Sequence, residues 1–282
     1  MILIVDAGAT KSAWRWVNDR GQVVMDHTLP GINFAHQAGR LEELLPAEAY
    51  RGLVDAFEAH PDLGSSHFYG AGLLAEPAML KAFFEAHCPA AAVEYASDLL
   101  GAARAVCQRE RGIAAILGTG SNSCFYDGEK IVRNVRSAGY ILGDEGGGVA
   151  LGRQFMADFL KGLVPEPVAG EFAAAYPVDY LTVVREVYRG ERPAAYLASF
   201  APWILERYGR CEYVTALVEE NFRSFIRRCI RQYEPAPVGI VGGFAKANEA
   251  ILRKVFDAEG VAISTLLSDP TEGLIRYQCH GL

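Results

Sequence analysis

The sequence predicts an α/β fold of two similar lobes, each built on a sheet of mixed strand direction that helices cover. The first observation is an internal repeat of one strand–turn–strand–turn–strand pattern. Residues 2–28 show it as "ILIV-DAGATKS-AWRWV-NDRG-QVVMDH", and residues 113–135 show it again as "IAAIL-GTGSNS-CFY-DGEK-IVRNV". In both copies, "NDRG" and "YDGEK" supply the Asp-Gly type of turn that closes a hairpin.

The second observation is the alternation of helices and strands after each hairpin unit. In the first half we predict helices at "RLEELL" through "LVDAFEAH" and at "PAMLKAFFEAH", and strands at "HFYGAG" and "AAVEYA". The segment "SDLLGAARAVCQRE" predicts an amphipathic helix with Ser97 as its N-cap. In the second half, a long helical stretch over residues 149–233 precedes the strands "VGIV" and "VAIST", with the helix "AKANEAILRKVF" between them and "DPTEGLIRYQCH" as the last helix. Such alternation predicts a mixed sheet covered by helices.

The third observation is the length of 282 residues, which suits two lobes better than one core. The polar stretch "QRERG" at residues 108–112 marks the junction. We therefore predict an N-terminal lobe over residues 1–108 and a C-terminal lobe over residues 109–268, with a last helix, 269–282, that packs back on the first lobe. Since ligands favour domain interfaces, the sequence predicts a binding cleft between the lobes.

The composition excludes several classes of function. Hydrophobic residues make up 51% and charged residues 22% of the chain, which is typical of globular proteins. No apolar stretch approaches the roughly 20 residues that cross a bilayer, and no signal-peptide pattern opens the chain, so we expect a cytoplasmic protein without membrane contact. A net charge of −7 without a Lys/Arg block argues against nucleic-acid binding. The six cysteines form no C-x-x-C pair, which favours reduced thiols over disulfides or a zinc site.

Three small-residue turns are candidates for binding phosphate. "DAGATKS" and "GTGSNS" each follow a buried strand and precede a hairpin strand. Small residues let backbone amides approach an anion closely, and Ser or Thr hydroxyls add donors. The spacing differs from the G-x-x-x-x-G-K-[ST] phosphate loop, and Asp6 stands where phosphate contacts would be expected. Such a carboxylate would hold magnesium beside the phosphates. The pair Gly242–Gly243, between a strand and a helix, is a third turn of this kind, although each turn alone also fits an ordinary connection.

Five motifs in sequence order make a family resemblance specific. "DAGATKS", "SDLLGAARA", "ILGTGSNS", "GYILGDEGGG" and "VGGFAKAN" resemble motifs of the N-acetylglucosamine kinase and BadF/BadG/BcrA/BcrD-type ATPase family, within the sugar kinase, heat-shock 70 and actin superfamily. The resemblance covers essentially the whole chain. It implies a duplicated ribonuclease-H-like (actin-like ATPase) fold of two lobes that binds ATP with Mg²⁺ in the interlobe cleft and phosphorylates a sugar. A homodimer is left open.

The resemblance also implies roles for individual residues. It assigns Asp6 to the metal and Asp98 to the base that acts on the sugar hydroxyl. Besides Asp98, it implies sugar contacts for Asn33, Gly139 and Asp144. The residues implied for the nucleotide lie in the three turns: Gly8, Thr10, Lys11, Ser12, Gly118, Thr119, Gly120, Ser121, Gly242 and Gly243.

The chain departs from its relatives at two places. Ser12 and Ala13 stand where relatives often carry Thr and Asp, which thins the metal shell on that side. Residues 137–139 (Ser-Ala-Gly) replace a Gly- and Trp-containing stretch of the animal enzymes, which affects the acetamido pocket.

The chemistry of the carboxylates agrees with their implied roles. Phosphoryl transfer needs alignment, charge compensation and a group that receives the hydroxyl proton. At a helix start, the charged form of Asp98 should be stabilised by the helix dipole by up to about 1 kcal/mol. The other interpretation is that Ser97 and Asp98 only cap their helix. Asp144 is favoured over Glu145 for the sugar because neighbours on an extended segment point apart, and Glu145 is left to support the turn or the metal. Both could instead be solvated charges that cap the next helix.

Three classes of function remain open. The leading hypothesis is ATP-dependent phosphorylation of N-acetylglucosamine at its 6-hydroxyl, with N-acetylmuramate and glucosamine as alternative substrates. The second class is the ATPase activator of a CoA-thioester dehydratase or reductase. Those activators bridge an iron–sulfur cluster across a dimer through cysteines, and only Cys124 lies near the relevant loop. The third class is a sugar sensor of a transcriptional regulator; the chain opens on a strand rather than a DNA-binding helix-turn-helix, so we expect this class least.

Overall fold

A computed structural model describes residues 1–8, 11–32, 39–73 and 77–279. The chain divides into two compact units, each with its own five-stranded sheet. The first unit comprises Met1–Glu110, Gly128–Lys130 and Pro270–Leu282, and the second comprises Arg111–Asp127 and Ile131–Asp269. The predicted α/β class and the internal repeat are confirmed. The functional lobe boundaries at residues 108 and 268 stay a prediction.

The first unit contains a meander of three strands followed by two parallel strands. Its strands are β1 Ile2–Ala7, β2 Lys11–Val17, β3 Val23–Pro30, β4 Ser65–Gly70 and β5 Ala92–Ser97, and its first helices are α1 Leu41–Leu44, α2 Ala47–Ala59, α3 Ala78–His87 and α4 Asp98–Cys107. The strand order is β3-β2-β1-β4-β5, with β1–β2 and β2–β3 antiparallel and β1–β4 and β4–β5 parallel. In the β2–β3 hairpin, the Asn18 side chain accepts the backbone N–H groups of Arg20 and Gln22, both at 3.0 Å, and Gly21 takes a φ of +73°. The "NDRG" turn thus forms as the sequence predicts.

The core of the first unit lies between the sheet and α2–α3. Trp14 and Trp16 project to the same face of β2, since they are two residues apart, and both are fully buried. The Trp14 ring lies 5.5 Å from that of Phe68, and the Trp16 ring lies 5.4 Å from that of Phe57. This edge-to-face aromatic packing fixes the hairpin on the helices.

The second unit repeats the arrangement and adds a large helical layer. Its strands are β6 Gly112–Leu117, β7 Ser121–Tyr126, β8 Ile131–Val135, β9 Val238–Val241 and β10 Ile263–Leu267. Its helices before the 3₁₀ turn at Ile230–Gln232 are α5 Gly139–Leu142, α6 Gly148–Leu160, α7 Val168–Ala175, α8 Tyr180–Arg189, α9 Pro193–Ala198, α10 Ala201–Leu205 and α11 Glu212–Arg228. Two more helices follow that turn, α12 Gly243–Ala247 and α13 Glu249–Ala258. The order β10-β9-β6-β7-β8 is that of the first sheet, with β6, β9 and β10 parallel. The residues Phe155, Phe222 and Phe225 are fully buried in its core. None of the helices in the described ranges combines the length and apolarity that crossing a bilayer requires.

The last helix, α14 (Thr271–Cys279), packs on α4 of the first unit. The two backbones meet at Gly273, where a Cβ would overlap the carbonyl oxygen of Ala105. The Gln108 side chain donates to the Gly273 carbonyl at 3.0 Å and to that of Ala105 at 2.8 Å. The helix that begins at Asp98 is therefore held by the end of the chain.

Replacing Gly273 by Ala should destabilise the protein, because the added methyl group forces α14 away from α4. We expect a loss of about 1–3 kcal/mol in the free energy of unfolding, measured by urea denaturation. Gly64→Ala is the matched control, since its Cβ would meet nothing closer than the Met1 carbonyl oxygen at 3.6 Å. Equal unfolding midpoints for the two variants would refute the close α4–α14 contact.

Candidate active site

The three parallel strands of the first sheet end at the same edge. Ala7 of β1 is in register with Gly70 of β4, and Gly70 is in register with Ser97 of β5. The turn that begins at Gly8 and the helix that begins at Asp98 therefore leave this edge two strand spacings apart, about 10 Å. Two groups that sequence analysis assigned to one reaction are brought to one edge of one sheet.

The turn after β1 is closed by its own backbone. The Gly8 N–H donates to the carbonyl of Lys11 at 2.9 Å, and the Lys11 side chain is exposed at the start of β2. Asp6 lies one residue before the end of β1, half-buried, in register with Ala13 on one side and Tyr69 on the other. A cation at the Lys11 position and a carboxylate at Asp6 thus flank the turn.

Of three further residues predicted for ligand binding, the structure describes only Ser12. The Ser12 hydroxyl is buried, donates to the Pro30 carbonyl at 3.3 Å and accepts the Trp14 Nε1–H at 3.1 Å. It is therefore engaged within the sheet, and the nucleotide contact of Ser12 stays a prediction. Thr10 and Asn33 lie outside the described residues.

Asp98 is the first residue of α4. The Ser97 hydroxyl accepts the Leu100 N–H at 3.2 Å, which confirms Ser97 as the N-cap. The Oδ1 atom of Asp98 accepts the Leu99 N–H at 2.8 Å. Burial nevertheless raises the pKa of Asp98 to about 6, against the opposing effect of the Leu99 bond. Desolvation outweighs the support that the helix start gives to the charged form, so the net shift of the pKa is upward. The result is a more basic carboxylate, better suited to accept a proton.

The second small-residue turn, after β6, is bound to the start of α6. The Gly118 N–H donates to the Gly120 carbonyl at 2.9 Å. The first N–H groups of α6 donate back to the turn, Gly148 to the Gly118 carbonyl at 3.0 Å and Val149 to the Thr119 carbonyl at 2.8 Å. The motifs "GTGSNS" and "GDEGGG" therefore fold into one structure.

Asp144 takes part in this structure through its side chain. Its Oδ1 atom accepts the Ser121 N–H at 3.1 Å, and a Cβ at Gly120 would lie 2.8 Å from its Oδ2 atom. Burial raises the pKa of Asp144, with the Ser121 bond opposing. Glu145 instead pairs with Arg228 at 2.7 Å, so the two neighbouring carboxylates have different partners. Asp144 thus supports the second turn, a role that sequence analysis did not foresee, and its sugar contact stays a prediction.

The third turn begins beside the second. Gly242 takes a φ of +145°, donates its N–H to the Leu267 carbonyl at 2.9 Å, and has no room for a Cβ against the Leu117 carbonyl. The fold therefore requires glycine at position 242. The next residue, Gly243, is exposed, and a Cβ there or at Gly118 would meet no atom of the described residues within 4 Å. The adjacent turns of β6 and β9 therefore present open glycine backbone at one sheet edge.

Two further observations bear on ligands in the second unit. The Ser121 hydroxyl is buried and has no hydrogen-bond partner within the described ranges, so a ligand oxygen would satisfy it. Gly139 opens α5 with a φ of +72°, and a Cβ there would likewise meet no described atom within 4 Å. The backbone at Gly139 therefore has room for a ligand atom.

Asp6 fits the way in which kinases bind magnesium, with few protein ligands. Among residues 1–8, 11–32, 39–73 and 77–279, no group of three or more His, Cys, Asp or Glu side chains could hold a metal. Mg²⁺ rarely needs such a group, because it is usually bound by one or two carboxylates together with phosphates and waters. Asp6, at the strand end beside a phosphate-type turn, is a suitable single carboxylate.

Comparison with known proteins decides the family. No family model and no curated protein sequence matches the chain. Among solved structures, the "Putative N-acetylglucosamine Kinase" of Porphyromonas gingivalis matches 99% of this chain and 99% of its own length, at 36% identity and a TM-score of 0.90. The chain belongs to the N-acetylglucosamine kinase and BadF/BadG/BcrA/BcrD-type ATPase family. The resemblance that the five motifs indicate is thereby confirmed, as is membership of a sugar kinase family.

More distant structures share the fold of this family. A ROK family glucokinase from Streptomyces griseus, solved with glucose and AMPPNP, covers 98% of this chain and 97% of its own, at 17% identity and a TM-score of 0.52. The (R)-2-hydroxyglutaryl-CoA dehydratase component A of Acidaminococcus fermentans covers 99% and 96%, at 16% identity and a TM-score of 0.50. These matches confirm the actin-like ATPase fold class and leave the chemistry to the site.

Proposed function

We propose that the protein transfers the γ-phosphoryl group of ATP to the 6-hydroxyl of N-acetylglucosamine or a close amino sugar. The observation that carries the proposal is Asp98, a half-buried and unusually basic carboxylate at the same sheet edge as Asp6 and the turn that begins at Gly8. The 36% identity with the Porphyromonas gingivalis protein and the nucleotide analogue bound by the glucokinase support the choice of reaction and donor.

In this proposal, Asp98 is the catalytic base. Its carboxylate would accept the proton of the attacking sugar hydroxyl across a hydrogen bond of about 2.6–3.2 Å. The bond from the Leu99 N–H to Oδ1 orients the carboxyl group, and the Ser97 cap fixes the start of the helix that carries it. The raised pKa keeps the group mostly ionised at neutral pH while making it more basic than an ordinary Asp.

The small-residue turns would bind ATP. Backbone amides and small side chains supply the contacts: Gly8, Thr10, Lys11 and Ser12 in the first turn, Gly118, Thr119, Gly120 and Ser121 in the second, and Gly242 and Gly243 beside the adenosine. Asp6 would hold Mg²⁺, which neutralises phosphate charge when bound. The open backbone at Gly118 and Gly243 and the unpartnered Ser121 hydroxyl support this assignment.

The sugar would be held by Asn33, Gly139 and Asp144 in addition to Asp98. Hydrogen-bonding side chains discriminate strongly between sugars that have or lack a hydroxyl, whereas an apolar wall discriminates weakly between neighbouring substituents. N-acetylmuramate and glucosamine therefore remain alternative substrates.

The position of transfer is tested by phosphorus NMR of the product made from N-acetylglucosamine and ATP. Coupling of the new phosphomonoester to the two protons on carbon 6 is the expected result. Coupling to the anomeric proton, or release of inorganic phosphate without a sugar phosphate, would refute the proposed reaction.

Replacing Gly118 by Ala should weaken ATP binding without destabilising the fold. The added methyl group meets no described atom within 4 Å, so it occupies only the space proposed for the nucleotide. We expect the KM for ATP to rise about tenfold or more while the free energy of unfolding stays within about 0.5 kcal/mol of that of the wild type. An unchanged KM for ATP would contradict the role of the second turn.

The pH dependence of the reaction should follow Asp98. Only the ionised carboxylate accepts a proton, and its pKa is raised to about 6. The kcat/KM for the sugar should therefore fall about tenfold per unit below that pKa and level off above it. A profile that stays flat down to pH of about 5 would contradict the assignment of the base.

The activator alternative is disfavoured by the position of its cysteine. Cys124, the one cysteine near the relevant loop, is fully buried in β7 and cannot reach a partner subunit to share a cluster. The fold itself does not discriminate, since the dehydratase component shares it. Iron in the purified protein would favour the activator.

A further inference from the structure

The segment between β8 and α6, which carries Gly139 and Asp144, is held in an unfavourable backbone conformation. Ala138, Gly139 and Asp144 all have positive φ angles, of 60°, 72° and 57°. For Ala and Asp this left-handed conformation costs about 1–2 kcal/mol each, so surrounding bonds must hold it.

The helix in this segment, α5, is weakly packed. Ile141 and Leu142 are 66% and 74% exposed, and of its large side chains only Tyr140 packs against the core. The segment is closed by the Asp144 N–H, which donates to the Ser137 carbonyl at 3.0 Å, and by the Gly143 N–H to the Gly139 carbonyl at 2.8 Å. Hydrophobic burial therefore contributes little to fixing α5 on the unit.

The Arg153 side chain of α6 supplies the missing attachment. Its guanidinium donates to the carbonyl of Ile141 at 2.9 Å, to that of Gly143 at 3.4 Å, and to that of Tyr140. Arg presents five N–H donors in one planar fork, which suits it to join several carbonyls at once. One side chain thus binds the carbonyls of both α5 and the residue before Asp144.

The second small-residue turn, residues 118–121, depends much less on Arg153. It is held by the N–H groups of Gly148 and Val149 at the start of α6. Loss of Arg153 should therefore loosen residues 139–144 more than residues 118–121.

We propose that Arg153 is a positioning residue that sets sugar affinity by holding the 139–144 segment. The inference rests on the proposed function, in which Gly139 and Asp144 contact the sugar. Arg153 acts through the backbone carbonyls and does not itself contact the substrate. This role cannot be read from the sequence, because the three hydrogen-bond acceptors of Arg153 are backbone carbonyls.

Steady-state kinetics of Arg153→Ala test the proposal. The sugar KM should rise about tenfold or more while the ATP KM stays within about threefold, and millimolar guanidinium chloride should restore the sugar KM. Arg153→Lys replaces the planar guanidinium by one ammonium, and its sugar KM should lie between those of the wild type and Arg153→Ala. Arg253→Ala is the matched control, since Arg253 donates to the Ile263 carbonyl at 3.0 Å, away from this segment; it should change neither KM. An unchanged sugar KM, an equal rise in both KM values, or no rescue by guanidinium would overturn the proposal.

Hydrogen exchange separates this inference from the proposed function. Amides of residues 139–144 should exchange at least about tenfold faster in Arg153→Ala than in the wild type. The amides of Gly118, Gly148 and Val149, whose bonds do not involve that segment, should exchange at the wild-type rate. Equal exchange of residues 139–144 in the two proteins would show that Arg153 does not hold this segment, whether or not the wild type phosphorylates a sugar. Failure of the wild type to phosphorylate any sugar would refute the proposed function and the effect of Arg153 on sugar affinity. Hydrogen exchange would still decide whether Arg153 holds residues 139–144.

Discussion

Replacing Asp98 by Asn should lower the kcat of sugar phosphorylation by about 10²–10⁴-fold, because the amide cannot accept the hydroxyl proton. The KM for ATP should change little, since ATP is assigned to other residues. The variant keeps the shape of the side chain and an oxygen for the Leu99 N–H. The measurement is kcat and both KM values at saturating partner substrate. Normal turnover would show that Asp98 is not the base.

The same variant should be more stable than the wild type at neutral pH. The pKa of Asp98 is about 6 in the fold against an ordinary 3.8, so folding favours its protonated form. That contribution is fully present below the ordinary value and is lost as the pH rises through about 6. Asn does not titrate, so Asp98→Asn should gain on the order of 2 kcal/mol over the wild type at pH of about 8, and the gain should vanish near pH 4.

Ser97→Ala is the matched control for the interpretation that this pair only caps its helix. It removes the bond to the Leu100 N–H and should cost about 1 kcal/mol of stability, with turnover of the same order as the wild type. If Ser97→Ala and Asp98→Asn lost stability and activity together, helix capping alone would explain both residues.

Replacing Asp6 by Asn should weaken the dependence of the reaction on magnesium. One carboxylate is expected to hold the ion beside the phosphates, and an amide oxygen lacks the charge that Mg²⁺ prefers. We expect kcat/KM for ATP to fall about 10²-fold and the magnesium concentration at half-maximal rate to rise about tenfold or more. Magnesium titrations at fixed ATP give both values.

Asp26→Asn is the control for this change. Asp26 lies on β3 of the same sheet and pairs with Arg15 at 2.9 Å. Its loss removes one carboxylate of the unit at a site with no assigned ligand, so the magnesium titration should match the wild type. An Asp6 variant with unaltered magnesium dependence would refute the metal assignment.

The sequence predicts what local chemistry determines. The hairpin turn at Asn18–Gly21, the cap at Ser97 and the alternating pair Trp14 and Trp16 follow from side-chain bonds or strand periodicity within a few residues, and the structure contains all of them. The repeat of the meander follows from the same periodicity in both halves.

Properties that depend on packing could not be predicted in this way. Burial of Asp98 reverses the shift that its helix position alone indicates. The bond between Asp144 and the Ser121 N–H joins the motifs "GDEGGG" and "GTGSNS", whose distance in space the sequence does not give. The occurrence of both motifs in one chain was the available signal that they act together. The engagement of the Ser12 hydroxyl by Pro30 likewise depends on the register of a neighbouring strand.

Sugar-dependent turnover of ATP distinguishes an amino sugar kinase from the other classes of function. The most direct measurement is ADP release by the purified protein with ATP and Mg²⁺, across hexoses, hexosamines, and their N-acetyl and lactyl derivatives. We expect N-acetylglucosamine or a close amino sugar to raise ADP release well above the sugar-free rate. ADP release that no sugar in the panel raises above that rate would contradict the proposed function.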